Sequence, residues 1–138
     1  MKIYIAYKYR YTKDKEALKH DLQDISSYLD ALGHESFILG RDVQNWAKHT
    51  SKVSTTLEIL RNIRKYDVLF AYVNSNVHSN GIPVEFAFAK LFGLKVIIAR
   101  QKDLKKDLLE NFANAVILFS DLNDLKAKSA VALARVAQ

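Results

Sequence analysis

The chain has no cysteine in its 138 residues, which excludes disulfides and thiolate metal sites. It has one proline and four glycines, with no stretch rich in either, so nothing reads as a linker. No apolar run reaches the roughly 18 residues that a membrane-spanning helix needs. The start, Met1-Lys2-Ile3-Tyr4-Ile5, lacks the apolar region and cleavage site of a secretory signal, so a cytoplasmic protein is expected. No Gly-x-Gly-x-x-Gly follows this first strand, and no Gly-x-x-x-x-Gly-Lys-Ser/Thr occurs, so a dinucleotide fingerprint and a P-loop are both missing. A Ser-His-Asp triad lacks its Gly-x-Ser-x-Gly elbow. The four histidines, His20, His34, His49 and His78, have no ligand spacing. Neither a metal nor a cofactor is expected.

What the chain does have is an ordinary globular composition, 49% apolar, at a length that suits a single domain over residues 1–138. The net charge of +6 permits an anionic partner. Its positive residues alternate with acids, as in Lys13-Asp14-Lys15-Glu16 and Lys102-Asp103-Leu104-Lys105-Lys106-Asp107. That mixing describes solvated helix faces, and nucleic-acid or membrane partners are not expected.

Apolar runs and helical periodicity alternate along the chain. Strands are expected at Lys2–Tyr7, Ser36–Leu39, Val68–Val73, Lys95–Ala99 and Ala115–Phe119. Helices are expected at Asp14–Leu32, Ser51–Tyr66, Val84–Phe92, Asp103–Phe112 and Asn123–Val136. Leu18, Leu22, Ile25, Leu29 and Leu32 mark the buried stripe of the first helix, and Gly33 ends it. Such alternation implies parallel strands with right-handed crossovers. The expected fold is α/β: a three-layer α/β/α sandwich around a five-stranded parallel sheet of flavodoxin or Rossmann-like type, order 2-1-3-4-5. In that order the loops after strands one and three face each other at the switch point.

The stretch Asp67–Lys90 concentrates the functional signal. A continuous apolar strand leads into the polar loop Asn74–Gly81, and Pro83 suits a first helical turn. The helix that follows is apolar almost all round, with Glu85 and Lys90 as its only charges. Glu85 is expected in the first turn, ionised by the free N–H groups of the helix start and facing the crevice. Capping of its own helix is the competing use. An aspartyl-phosphate receiver would need an acid pair after strand one, where Tyr7, Lys8 and Tyr9 stand. A single carboxylate beside hydroxyl and amide groups suits attack on a sugar anomeric carbon with a nucleobase leaving.

The run Ser79-Asn80-Gly81-Ile82-Pro83-Val84-Glu85 has the form Ser-x-Gly-x-x-x-Glu. It follows Asp67-Val68 and precedes Ala89 and Gly93-Leu94-Lys95-Val96-Ile97. This resembles the nucleoside 2-deoxyribosyltransferase family, including its branch of 2'-deoxynucleoside 5'-phosphate N-hydrolases. Ile3-Tyr4-Ile5-Ala6 is similar to that family's first strand. The resemblance implies Glu85 as nucleophile, with the Tyr4 phenol placing and tuning it. It implies Ser79 and Gly81, with Asn80 between them, as the turn that holds the 5' end of the sugar or its phosphate. His78 lies in the same loop, within reach of a ligand. Where the hydrolase branch has a small Gly-Ser turn, this chain has Tyr7-Lys8, followed by Tyr9 and Arg10. Lys8 and Arg10 can hold a phosphate by charge, and Arg10 matches an arginine of that branch. Asp42, Asn45 and Trp46 fall where the family closes over the base; Trp46 either stacks on it or packs on the domain. The family's second-helix aspartate, eight residues before Asp67, is here Ile59. Glu58 is one residue away, about 100° around the helix, and serves only if the helix is rotated.

The expected function is therefore N-glycosidic bond cleavage on a nucleoside or nucleoside 5'-monophosphate. Hydrolysis is favoured over transfer, since the loops leave little room for a second base. Two alternatives stand beside it. One is a Toll/interleukin-1-receptor-like NAD glycohydrolase, whose strand-one signature Ile3–Tyr7 meets loosely. The other is a nucleotide-binding module without turnover. Family members pair to complete each other's sites, so a homodimer is expected.

Overall fold

The computed structural model describes residues 1–9, 12–46, 51–77 and 81–138. Five strands, β1 (Lys2–Tyr7), β2 (Glu35–Ile38), β3 (Val68–Val73), β4 (Lys95–Gln101) and β5 (Ala115–Phe119), form one parallel sheet in the order β2-β1-β3-β4-β5. The helices are α1 (Lys15–Ala31), α2 (Leu39–Asp42), α3 (Lys52–Ile63), α4 (Gly81–Leu91) and α5 (Leu122–Val136). This is the three-layer α/β/α arrangement expected from the alternation.

Period-two alternation divides the core. Ile3 and Ile5 of β1 point to the side covered by α1 and α5, with Phe70, Tyr72, Leu22, Leu29 and Leu133. Tyr4 and Ala6 point to the side covered by α3 and α4, with Leu69, Ala71, Ile59, Ile63, Ile82 and Phe86. All six residues of β3 are buried, as a strand covered on both faces requires. Helix α1 is capped by Asp14, whose carboxylate accepts the Ala17 N–H at 3.0 Å. It ends at Gly33, whose φ of +92° permits the left-handed turn into β2. Gly93, at φ +78°, does the same between α4 and β4.

Several boundaries differ from the sequence reading, among them the end of helix α3, which stops at Ile63 short of Tyr66. Strand two stops at Ile38, because the Asp42 carboxylate reaches back to the Ile38 N–H at 2.9 Å and turns Leu39–Asp42 into a helix. Strand four runs on to Gln101, paired with Phe119. Helix α4 starts at Gly81 instead of Pro83 or Val84. The helix expected over Asp103–Phe112 shrinks to a 3₁₀ turn, Leu108–Phe112. There the Glu110 side chain is drawn inward. It accepts the Asp107 N–H at 2.8 Å and the Arg100 Nε at 2.8 Å, a buried ion pair that fixes the β4–β5 connection against the sheet.

Candidate functional site

Strands β1 and β3 are neighbours, paired from Ile3–Val68 to Tyr7–Tyr72, and their carboxyl ends leave the sheet in opposite directions. The crevice at this switch point is bounded by Tyr7 at the end of β1 and Lys8 after it, by Asn74 and Ser75 after β3, and by the start of α4. Helix α4 packs on β1, β3 and β4, which brings Glu85 down onto the sheet beside Tyr4.

Glu85 is buried, at 6% exposure, in a helix whose inward face is otherwise Ile82, Phe86 and Ala89. It is the fifth residue from the helix start, one turn further in than the sequence suggested. The first-turn dipole is correspondingly weaker there. Burial therefore decides its charge: it pushes the carboxyl up to about 8, and the Tyr4 hydroxyl pulls it back only partway. The expected ionised carboxylate is thus mostly a neutral acid at pH 7. An ideal Cβ on Gly81 would lie 3.5 Å from Glu85 Oε1, so the helix start lies against the carboxyl.

Tyr4 has no exposed surface, and its ring is fixed by Phe37 (centroids 5.2 Å apart) and Tyr66 (5.9 Å). Its hydroxyl makes no hydrogen bond of regular geometry. It still lies close enough to Glu85 for each group to perturb the other's proton. A phenol facing a carboxyl across a gap too wide or too bent for a full bond satisfies both facts. Burial first, and the Glu85 charge second, hold the Tyr4 phenol well above its ordinary range, so it stays protonated and able to donate.

Tyr7 closes the β1 side of the crevice. Its oxygen accepts the Gly40 N–H at 2.8 Å, and its ring lies 6.2 Å from Trp46. Gly40 is required here: a Cβ would collide with the Tyr7 hydroxyl and sit 2.6 Å from the Trp46 ring. Trp46 packs on Tyr7 and Tyr9, with Lys19 over its ring. Asn45 and Trp46 both have positive φ, 48° and 55°, and the Trp46 N–H bond to the Gly40 carbonyl at 2.7 Å holds that conformation.

Lys8 is half-buried and donates to the Ser75 carbonyl at 3.0 Å. The loss of water lowers its ammonium from the usual lysine range, and the Asp107 charge opposes the shift. Asp42 is committed elsewhere, to the Ile38 N–H and to Arg41 at 2.9 Å. Glu58 is half-buried on α3; it accepts from the Gln44 side chain at 3.0 Å and does not figure among the groups that shift Glu85. Ile59 is 3% exposed and part of the core, so a hydrophobic side chain fills the place of the expected second acid. Arg10, His78, Ser79 and Asn80 lie outside the described residues.

Sequence reasoning missed three features. Ser75 follows β3, and its hydroxyl is buried without a partner. Gly40 gave no signal because the Tyr7 hydroxyl it accommodates is distant in sequence. The Arg100–Glu110 pair was hidden because a charged residue ending an apolar strand reads as its solvated end.

No family model matches the chain, and no curated protein matches its sequence. Solved structures match in shape. The Clostridium botulinum CMP N-glycosidase BcmB superposes with a TM-score of 0.71 at 18% identity, over 95% of this chain and 98% of its own. A 2-deoxyribosyltransferase from Bacillus psychrosaccharolyticus gives 0.66 at 23% identity, over 91% and 90%. BlsM, solved in solution, gives 0.79 at 17% identity, over 98% and 90%. At these identities the likeness is one of fold, and over nearly its whole length this chain shares the fold of a CMP N-glycosidase and a 2-deoxyribosyltransferase.

Proposed function

We propose that the chain is a nucleoside 2-deoxyribosyltransferase-like domain over residues 1–138 that cleaves the N-glycosidic bond of a nucleoside or nucleoside 5'-monophosphate. The observation that carries this reading is a buried glutamate facing a buried, unpartnered phenol at the switch point of the sheet. The shared fold of an N-glycosidase and a 2-deoxyribosyltransferase supports it.

In the reaction, a Glu85 carboxylate oxygen forms a bond to C1' as the C1'–N bond breaks. The bonding pair leaves with the base, which takes a proton from solvent. Water then attacks C1' of the glycosyl ester, returning the Glu85 carboxylate and leaving the free sugar. Tyr4 donates toward the carboxylate and lowers its proton affinity, which burial alone would leave higher still. With the carboxyl titrating near 8, about a tenth of the free enzyme is in the attacking form at pH 7. Hydrolysis is preferred to transfer, because Tyr7 and Trp46 fill the β1 side of the crevice.

The test is base release from a panel of nucleosides and their 5'-monophosphates. Glu85→Ala is expected to abolish it, and unchanged release by that variant refutes the mechanism. A second reading, a nucleotide-binding module without turnover, is favoured by Ile59 in place of a second acid. Calorimetric binding with no product over a long incubation selects it.

We read the protein as cytoplasmic and as a homodimer. The second point is supported by the exposed Leu108 (80%) and Phe112 (64%) of the 3₁₀ turn. Sedimentation equilibrium showing only monomer at micromolar concentration removes it.

A further inference from the structure

Helix α2 is four residues long, a single turn, and a turn that short does not hold its own place. Yet its second residue carries one wall of the crevice. The Gly40 N–H donates to Tyr7 Oη at 2.8 Å, and the Gly40 carbonyl accepts the Trp46 N–H at 2.7 Å. A small shift at Gly40 therefore moves both aromatic rings. Beyond α2, Asn45 and Trp46 keep positive φ values of 48° and 55°, which persist only where neighbouring contacts over-determine them. The segment 39–46 needs an outside anchor.

Arg41 supplies it. A guanidinium carries five N–H hydrogens in a rigid fork, and here five acceptors meet it. Nε and Nη2 grip the Asp42 carboxylate at 2.9 and 3.0 Å. Nη1 donates to Gln23 Oε1 at 3.0 Å and to Ser26 Oγ at 2.9 Å, both on α1. Nη2 also reaches the Ser36 carbonyl of β2, at 3.5 Å. Ser26 is wholly buried, and its hydroxyl lies 2.6 Å from Ser36 Oγ, which donates to Asp30 at 2.8 Å. On the other layer, the Gln44 side chain donates to Glu58 of α3 at 3.0 Å. Helices α1 and α3 cover opposite faces of the sheet, so the segment is pinned to both, with Arg41 as the pin on the α1 side. An arginine with every donor engaged inside the fold is not placed to bind a ligand. Its part is positional, and a fork that joins separate elements fixes geometry more than it adds stability.

We propose that Arg41 is a positioning residue for the crevice: through Gly40 it sets where Tyr7 and Trp46 stand, and so the width left for a ligand on the β1 side. The proposal rests on the N-glycosidase reading only for the reaction that reports it.

Trp46 is the only tryptophan of the chain, so its emission reports the position of the wall without any ligand. Arg41→Met should shift that emission to the red and open it to acrylamide quenching. Kinetics use the nucleoside or 5'-monophosphate from which the unmodified protein releases base fastest. The variant should raise KM roughly fivefold, the size of one displaced aromatic contact, and change kcat less than about twofold, because a wall touches ground and transition states alike. Arg41→Lys keeps the charge without the fork and should fall between the two. Ser26→Ala with Gln23→Ala removes the α1 acceptors and keeps the Asp42 pair, so it serves where Arg41→Met fails to fold. It should move Trp46 emission and KM in the same direction, and add nothing in the Arg41→Met background. Unmoved Trp46 emission in these variants, a loss confined to kcat, or effects of the two sets that simply add overturn the proposal. Shifted emission in a protein that releases no base retains the positioning role and removes the glycosidase. Base release with Trp46 unmoved by the variants does the reverse.

Discussion

Replacing Glu85 by glutamine should stabilise the protein, and the gain should grow with pH. In the unfolded chain the carboxyl titrates near 4.5, and in the fold burial raises it to about 8. Between those values the unfolded state is ionised while the folded state keeps its proton. A raised folded value means that this group's contribution to stability is complete below 4.5 and declines through the window. It is exhausted above about 8. Over the interval from 4.5 to pH 7, at about 1.36 kcal/mol per pH unit, the loss is about 3 kcal/mol. Glutamine cannot ionise and escapes the loss. Any constant difference from burying an amide, and the titration of every other group, cancels when the variant is compared with the parent at two pH values. Urea unfolding followed by Trp46 fluorescence at pH 5 and pH 8 gives both free energies by linear extrapolation. The advantage of Glu85→Gln should be about 3 kcal/mol larger at pH 8 than at pH 5. An advantage that does not change with pH would mean that Glu85 ionises in the fold as it does in water. The burial argument would then be wrong.

Two further outcomes follow from the same site. If Glu85 attacks as the carboxylate, kcat/KM should rise nearly tenfold per pH unit below about 8 and level off above it; Tyr4→Phe, which removes the group that lowers its proton affinity, should move that limb to higher pH. Gly40→Ala should destabilise the fold by about 1–3 kcal/mol, since its Cβ would lie 2.6 Å from the Trp46 ring and must displace it, and the Trp46 emission should shift to the red.

Much of the fold was legible because it depends on local pattern. Val68–Val73 is continuously apolar, and a strand of that kind has to be covered on both faces. Gly33 and Gly93 announce helix ends because a positive φ suits glycine. The boundaries that moved were those set by one side chain reaching another segment. Asp42 ends strand two by binding the Ile38 N–H, and Glu110 collapses an expected helix by turning in toward Arg100. Helical period alone carries neither contact.

The site divides along the same line. The sequence by itself determined that a lone glutamate would sit near the start of a buried helix beside a switch-point crevice, with Tyr4 on the neighbouring strand. Periodicity and strand order are enough for that. Only the tertiary structure decided that burial raises the proton affinity of Glu85, that Ile59 packs into the core, and that Trp46 is held by Tyr7 and Tyr9. It also decided that the Ser75 hydroxyl is buried with nothing to bond. The physical reason is that proton affinity and hydrogen-bond satisfaction depend on which atoms surround a group in space, and those atoms come from segments far apart in the chain.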